Sequence, residues 1–113
     1  MEWYDRFLSK EKWIKKSVEI EGSLYDRLKE ISENELDASI NKIVDACICD
    51  LQLGGKIIIY KKEYKEINGA RSVIIRESTY KKLEEMREKY GISISKCINI
   101  AIKNGLDKYD GKK

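Results

Sequence analysis

The chain has 113 residues and a mass of 13.2 kDa, with 38% charged residues, 42% hydrophobic residues and no proline; this is enough for one modest core and not for two independent ones. It has no histidine, which excludes imidazole acid–base chemistry and histidine metal sites, and no apolar run near the ~18 residues of a membrane span. The net charge of +3 divides into +2 over residues 1–16, −6 over 17–51, +2 over 52–70 and +5 over 71–113: the basic second half favours an anionic partner such as nucleic acid, while the acidic first half argues against a chain that coats DNA uniformly.

Residues 1–16 form an N-terminal extension. Trp3, Tyr4, Phe7, Leu8, Trp13 and Ile14 fall at the spacing of a short amphipathic helix. Its tryptophans could cap a core, join an oligomer contact or stack on DNA. Ser17-Val18-Glu19-Ile20-Glu21 alternates with period two and predicts a half-buried strand. Gly22 or Ser23 then caps a helix carrying Leu24, Leu28 and Ile31, which runs to about Glu33. Asn34-Glu35-Leu36 forms a turn, and Asp37 is the expected N-cap of a second helix through Ile40, Ile43, Val44, Cys47, Ile48 and Leu51. Residues 52–70 form a basic connector. Ile57–Tyr60 reads as a strand, the stretch from Lys61 to Ile67 as either its continuation or helical turn, and Asn68-Gly69 as a turn.

The pattern then returns. Arg71–Arg76 reads as a strand. Ser78 is the expected cap of a helix from Thr79 to Tyr90, with Tyr80, Leu83, Met86 and Arg87 on one main face. Gly91 suits a left-handed C-cap. Ser93 is the expected cap of a last helix carrying Lys96, Cys97, Ile98, Ala101, Ile102 and Leu106, with residues 109–113 as a frayed tail. Cys47, Cys49 and Cys97 have no zinc-ribbon spacing and read as small buried thiols. Their odd number, without a secretory signal pattern, suits a reducing, cytoplasmic setting.

Sliding residues 16–51 onto 71–106, an offset of 55, gives 11 identities in 36 positions. They include Ser17/Ser72, Val18/Val73, Ile20/Ile75, Tyr25/Tyr80, Leu28/Leu83, Ile43/Ile98 and Ala46/Ala101. The helix–helix turns match less well, Leu36 falling on Ile92 at an offset of 56. Each unit, 17–51 and 71–108, is strand–helix–helix and cannot bury its own apolar faces; two packed together can. Antiparallel pairing of the two strands would turn Val18, Ile20, Val73 and Ile75 inward. Ser17, Glu19, Glu21, Ser72, Ile74 and Arg76 would point outward, and such a ribbon fits the DNA major groove.

A short alternating strand, a capped helix with Leu83 and Met86, the turn Gly91-Ile92-Ser93-Ile94-Ser95 and a helix with Ile98, Ala101 and Ile102 together resemble the ribbon-helix-helix (MetJ/Arc/CopG-type) superfamily of DNA-binding proteins. The first unit has Glu35-Leu36-Asp37 where a Gly-apolar-Ser turn is usual, and the two units cover about 72 of the 113 residues. The resemblance implies a mainly α fold with a short β ribbon: a tandem, single-chain ribbon-helix-helix protein built as an intramolecular pseudo-two-fold dimer. It further implies sequence-specific binding of double-stranded DNA, as in a transcriptional regulator, with no cofactor or metal. Carried onto this chain, base reading falls to Ser72, Ile74 and Arg76 in the second unit, with Ala70 at the margin, and to Ser17 and Glu19 in the first, flanked by Lys15 and Glu21. Phosphate gripping falls to the N-terminus of each second helix: Ser93, Ile94, Ser95 and Lys96, and Ser39, Asn41 and Lys42.

Other readings stay open. Lys56, Lys61, Lys62 and Lys65, interleaved with Tyr60 and Tyr64, form either a phosphate-contacting patch or a solvated connector. The acidic first unit could serve self-association or a protein partner, as in an antitoxin-like, plasmid-maintenance or conjugation-accessory adaptor that does not read DNA through that unit. A plasmid or viral gene in a prokaryotic cell suits either. No spacing gathers the carboxylates and lysines into a catalytic set, so an enzyme is not expected.

Overall fold

The computed structural model describes residues 12–51 and 68–111. Among them lie two strands and four helices: β1 (Trp13–Glu21), α1 (Gly22–Asn34), α2 (Ile40–Asp50), β2 (Asn68–Arg76), α3 (Glu77–Tyr90) and α4 (Ile94–Asp110). None of the helices is long and apolar enough to cross a membrane. β1 and β2 pair antiparallel in a register that sets Ser17 opposite Ser72 at its centre. From there the pairs run outward to Trp13 with Arg76 at one end and Glu21 with Asn68 at the other.

Alternation decides which ribbon face is buried. Val18, Ile20, Val73 and Ile75 point onto the helices and are almost fully enclosed. They meet Leu24, Leu28 and Ile31 of α1, Ile43, Val44 and Ile48 of α2, Leu83 and Met86 of α3, and Cys97, Ile98, Ala101, Ile102 and Leu106 of α4 in one continuous core. Arg87, expected on the main face of α3, is exposed instead.

Both strands are longer than their alternation suggested. Residues 13–16 belong to β1 rather than to an N-terminal helix, and residues 1–11 lie outside the described residues. The partner strand supplies the reason: β2 offers nine residues to pair, and Ile14 packs against the core opposite Ile75. Asn68-Gly69 likewise opens β2 instead of turning. A Cβ at Gly69 would lie 3.2 Å from the Arg71 guanidinium, so the missing side chain leaves that group room over Tyr25. The predicted strand at Ile57–Tyr60 and the lysine–tyrosine patch lie outside the described residues.

The caps also differ from expectation. Ser39, not Asp37, caps α2, its hydroxyl accepting from the Lys42 N–H at 3.3 Å. The turn before α2 is one in which Ser32 Oγ donates to the Ala38 carbonyl at 2.7 Å, so the helix starts beyond the reach of Asp37. Ser78 does not cap α3; that helix begins at Glu77, whose N–H donates to the Lys12 carbonyl at 3.0 Å. Ser93 does cap α4, accepting from the Lys96 N–H at 3.1 Å, and Gly91 ends α3 at φ 62°. The two capping serines are 54 residues apart, so the second helices correspond at 54 and not at 55: Ile43 matches Cys97 and Val44 matches Ile98, all four buried.

The end of α4 is tied down rather than frayed. Tyr109 Oη donates to Glu35 Oε1 at 2.9 Å, and Arg27 pairs with both Glu35 and Asp110. Of the three thiols only Cys97 is buried; Cys47 is half-buried and Cys49 exposed.

α2 crosses α4 where Gly105 faces Cys47. A Cβ at Gly105 would stand 2.6 Å from Cys47 Sγ and 3.1 Å from its Cβ, so this glycine is required by close approach and not by φ. Burial pushes the Cys47 thiol up to about 11, and Asp50 adds to the shift, so it packs there as a neutral group. Gly105→Ala gains about 1 kcal/mol of helix propensity against an overpacking cost of about 1–3 kcal/mol. A net loss of stability is expected, shrinking or reversing in a Cys47→Ala background. Urea denaturation of the four proteins checks this; an equal cost in both backgrounds would show that the thiol does not limit the crossing.

Candidate nucleic-acid interface

The outward register positions of the ribbon are Trp13, Lys15, Ser17, Glu19 and Glu21 on β1 and Arg76, Ile74, Ser72 and Ala70 on β2. Lys15, Ser17, Glu19, Ala70, Ser72 and Ile74 are all exposed, Ile74 at 38% and the neighbouring Trp13 at 43%. Four expected base readers, Ser72, Ile74, Ser17 and Glu19, are therefore gathered on one accessible strip.

The two strand ends behave differently. Glu21, expected to point into solvent, is 4% exposed because α1 begins at the next residue and its backbone is held from below. Arg76 is half-buried. Its N–H donates to Asp45 Oδ1 at 3.0 Å, its Nε to Asp45 Oδ2 at 2.9 Å and its Nη2 to Cys49 Sγ at 2.8 Å. Burial works against its charge, and Asp45 with Cys49 more than offsets this, leaving its pKa above the ordinary value. Arg76 is thus tethered to α2 rather than held out over the ribbon face.

The expected phosphate-binding segments sit beside the ribbon's free edges. Asn41 Oδ1 accepts from the Ile74 N–H at 3.1 Å, and two residues along Asp45 takes that of Arg76. On the other edge, Ser95 Oγ accepts from the Glu19 N–H at 3.1 Å, and Asn99 Oδ1 takes that of Glu21 at 2.9 Å. Asn41 and Ser95 therefore spend their side chains on the ribbon. The leading backbone N–H groups of α2 and α4, at Ile40 and Ile94, remain the anion-favouring feature of these ends, with Lys42 exposed and Lys96 half-buried nearby.

The residues that sequence reasoning missed are Asp45 and Asn99. Each lies six residues beyond its capping serine and is polar within a buried helical stripe, a signal readable in retrospect. Their identities follow the strand ends they hold. Asp45 pairs with a cation. Asn99 serves the Glu21 end, and its Nδ2 donates to the Glu19 and Ser95 carbonyls at 2.8 and 2.7 Å. The ribbon flanks match in the same way: Lys16 lies 4.7 Å over the Tyr80 ring, and Arg71 lies 3.9 Å over that of Tyr25.

Comparison with protein-family models, with curated proteins and with solved structures finds no match.

Asn99→Asp would set a carboxylate oxygen against two carbonyls in a site 4% exposed. A loss of about 2 kcal/mol or more is expected, larger at pH 7 than at pH 4, where the protonated acid can still donate. Asp45→Asn keeps the acceptor for the Arg76 N–H and gives up the charge of a buried carboxylate whose guanidinium partner is 37% exposed and can turn to water, so a smaller loss of about 1 kcal/mol is expected. Thermal melts at both pH values check this; equal losses for the two variants would contradict it.

Proposed function

We propose that the chain is a tandem ribbon-helix-helix protein whose two units form one intramolecular pseudo-two-fold dimer, and that it binds double-stranded DNA sequence-specifically as a transcriptional regulator. The observation that carries this reading is the ribbon itself. Its six central outward side chains are exposed, its register is centred on Ser17 and Ser72, and its edges are lined by the serine-capped starts of α2 and α4. A ribbon of this width fits the major groove, where Ser17, Glu19, Ser72 and Ile74 would meet base edges. Helix N-termini on both sides would meet phosphates, together with Lys42 and Lys96. The matched edge bonds and the matched cation–tyrosine contacts support two equivalent halves. Arg76, tied to Asp45, is assigned to holding the ribbon and not to base reading. Binding is the whole activity in this reading, with no chemistry and no cofactor.

A second reading draws on the same face. Glu19 with exposed Trp13 and Ile74 suits a protein partner or a second copy better than a polyanion.

Selection from a random double-stranded DNA library at physiological salt separates the two. A short enriched motif is expected, and no enrichment by the folded protein would favour the protein-partner reading. On the selected duplex, Lys42→Ala and Lys96→Ala should each lower the salt slope of log K by about 1. An unchanged slope would remove that lysine from the phosphate contacts.

A further inference from the structure

We infer that the duplex element selected by one chain is not self-complementary, and that Lys15 with Ile74 at one end of the ribbon and Glu19 with Ala70 at the other set the difference. This rests on the DNA-binding reading above. The register centred on Ser17 and Ser72, with the strands offset by 55, makes Lys15 the counterpart of Ala70, and Glu19 the counterpart of Ile74. A ribbon of two identical outward strands in this register would present the same face from either end. Such a face suits a palindrome.

This ribbon has a matched frame and unmatched readers. The frame repeats: Asn41 and Asp45 hold one edge as Ser95 and Asn99 hold the other. Apart from Ser17 and Ser72 at the centre, the outward groups do not repeat. At one end Lys15 lies directly opposite Ile74, a cation beside a branched apolar side chain. At the other, Glu19 lies opposite Ala70, an anion beside a methyl. All four are exposed, and among the described residues neither Lys15 nor Glu19 forms an ion pair. Each prefers a different base edge. A lysine donates to guanine O6 and N7, a glutamate accepts from the cytosine amino group, and apolar groups favour the thymine methyl. The lysine end therefore selects guanine with thymine nearby, and the glutamate end selects cytosine and excludes close phosphates.

The test is a paired selection from random duplex DNA, with the number of chains per duplex read by sedimentation velocity. The variant Lys15→Ala with Glu19→Ile copies the outward residues of β2 onto β1. Both positions are exposed, and a melting curve checks that the fold is kept. The wild-type chain should enrich a non-self-complementary element and bind it about tenfold or more tighter than a palindrome built by reflecting either half. The variant should enrich a self-complementary element and lose that preference. Two chains on an inverted pair of asymmetric elements would agree with the inference. A self-complementary element bound by one wild-type chain would overturn it and leave DNA binding intact. So would a variant that kept the wild-type element. No enriched element at all would overturn the DNA-binding reading beneath it.

Discussion

A two-stranded ribbon has two free edges and one face that it can bury, and it is marginal in water without further support. The rest of this molecule supplies that support. The inward face is covered by four helices closing on Val18, Ile20, Val73 and Ile75. Among the described residues the edges are met by side chains and not by a third strand: Asn41 and Asp45 along β2, Ser95 and Asn99 along β1. These bonds satisfy N–H groups that would otherwise invite another strand, and they leave the outward face untouched.

The bonding crosses the repeat boundary. α2 follows β1 in the chain yet holds the edge of β2, while α4 follows β2 and holds the edge of β1. The cations on the ribbon flanks do likewise, Lys16 reaching Tyr80 and Arg71 reaching Tyr25. Neither half therefore has a core of its own. The tight crossing at Gly105 and Cys47 joins the two second helices at the margin of the shared one.

Much of this was legible in the residues. The period-two runs at Ser17–Glu21 and Arg71–Arg76 identified the inward faces correctly, since burial on one face leaves a pattern that needs no knowledge of the partner. The extension of β1 back to Trp13, and of β2 to Asn68, was not legible. Those residues are strand because a partner lies opposite, and a pairing term has no local signature. The same holds for the cap of α2. Asp37 and Ser39 are both good capping residues, and the choice between them was made by the fold of the preceding turn. Asp45 and Asn99 were hidden differently: a lone polar residue in an apolar stripe usually faces solvent, and only the ribbon above them shows what they bind.

The placement of β1 and β2 on one polypeptide changes the arithmetic of assembly. A ribbon made from two separate chains forms with a midpoint set by concentration, and it comes apart as copies become scarce. Here the second strand belongs to the same polypeptide as the first, so its effective concentration at its partner does not fall with the number of copies. Folding is then unimolecular. A cell holding only a handful of these molecules would still have their strands paired, with no threshold of abundance below which the ribbon comes apart.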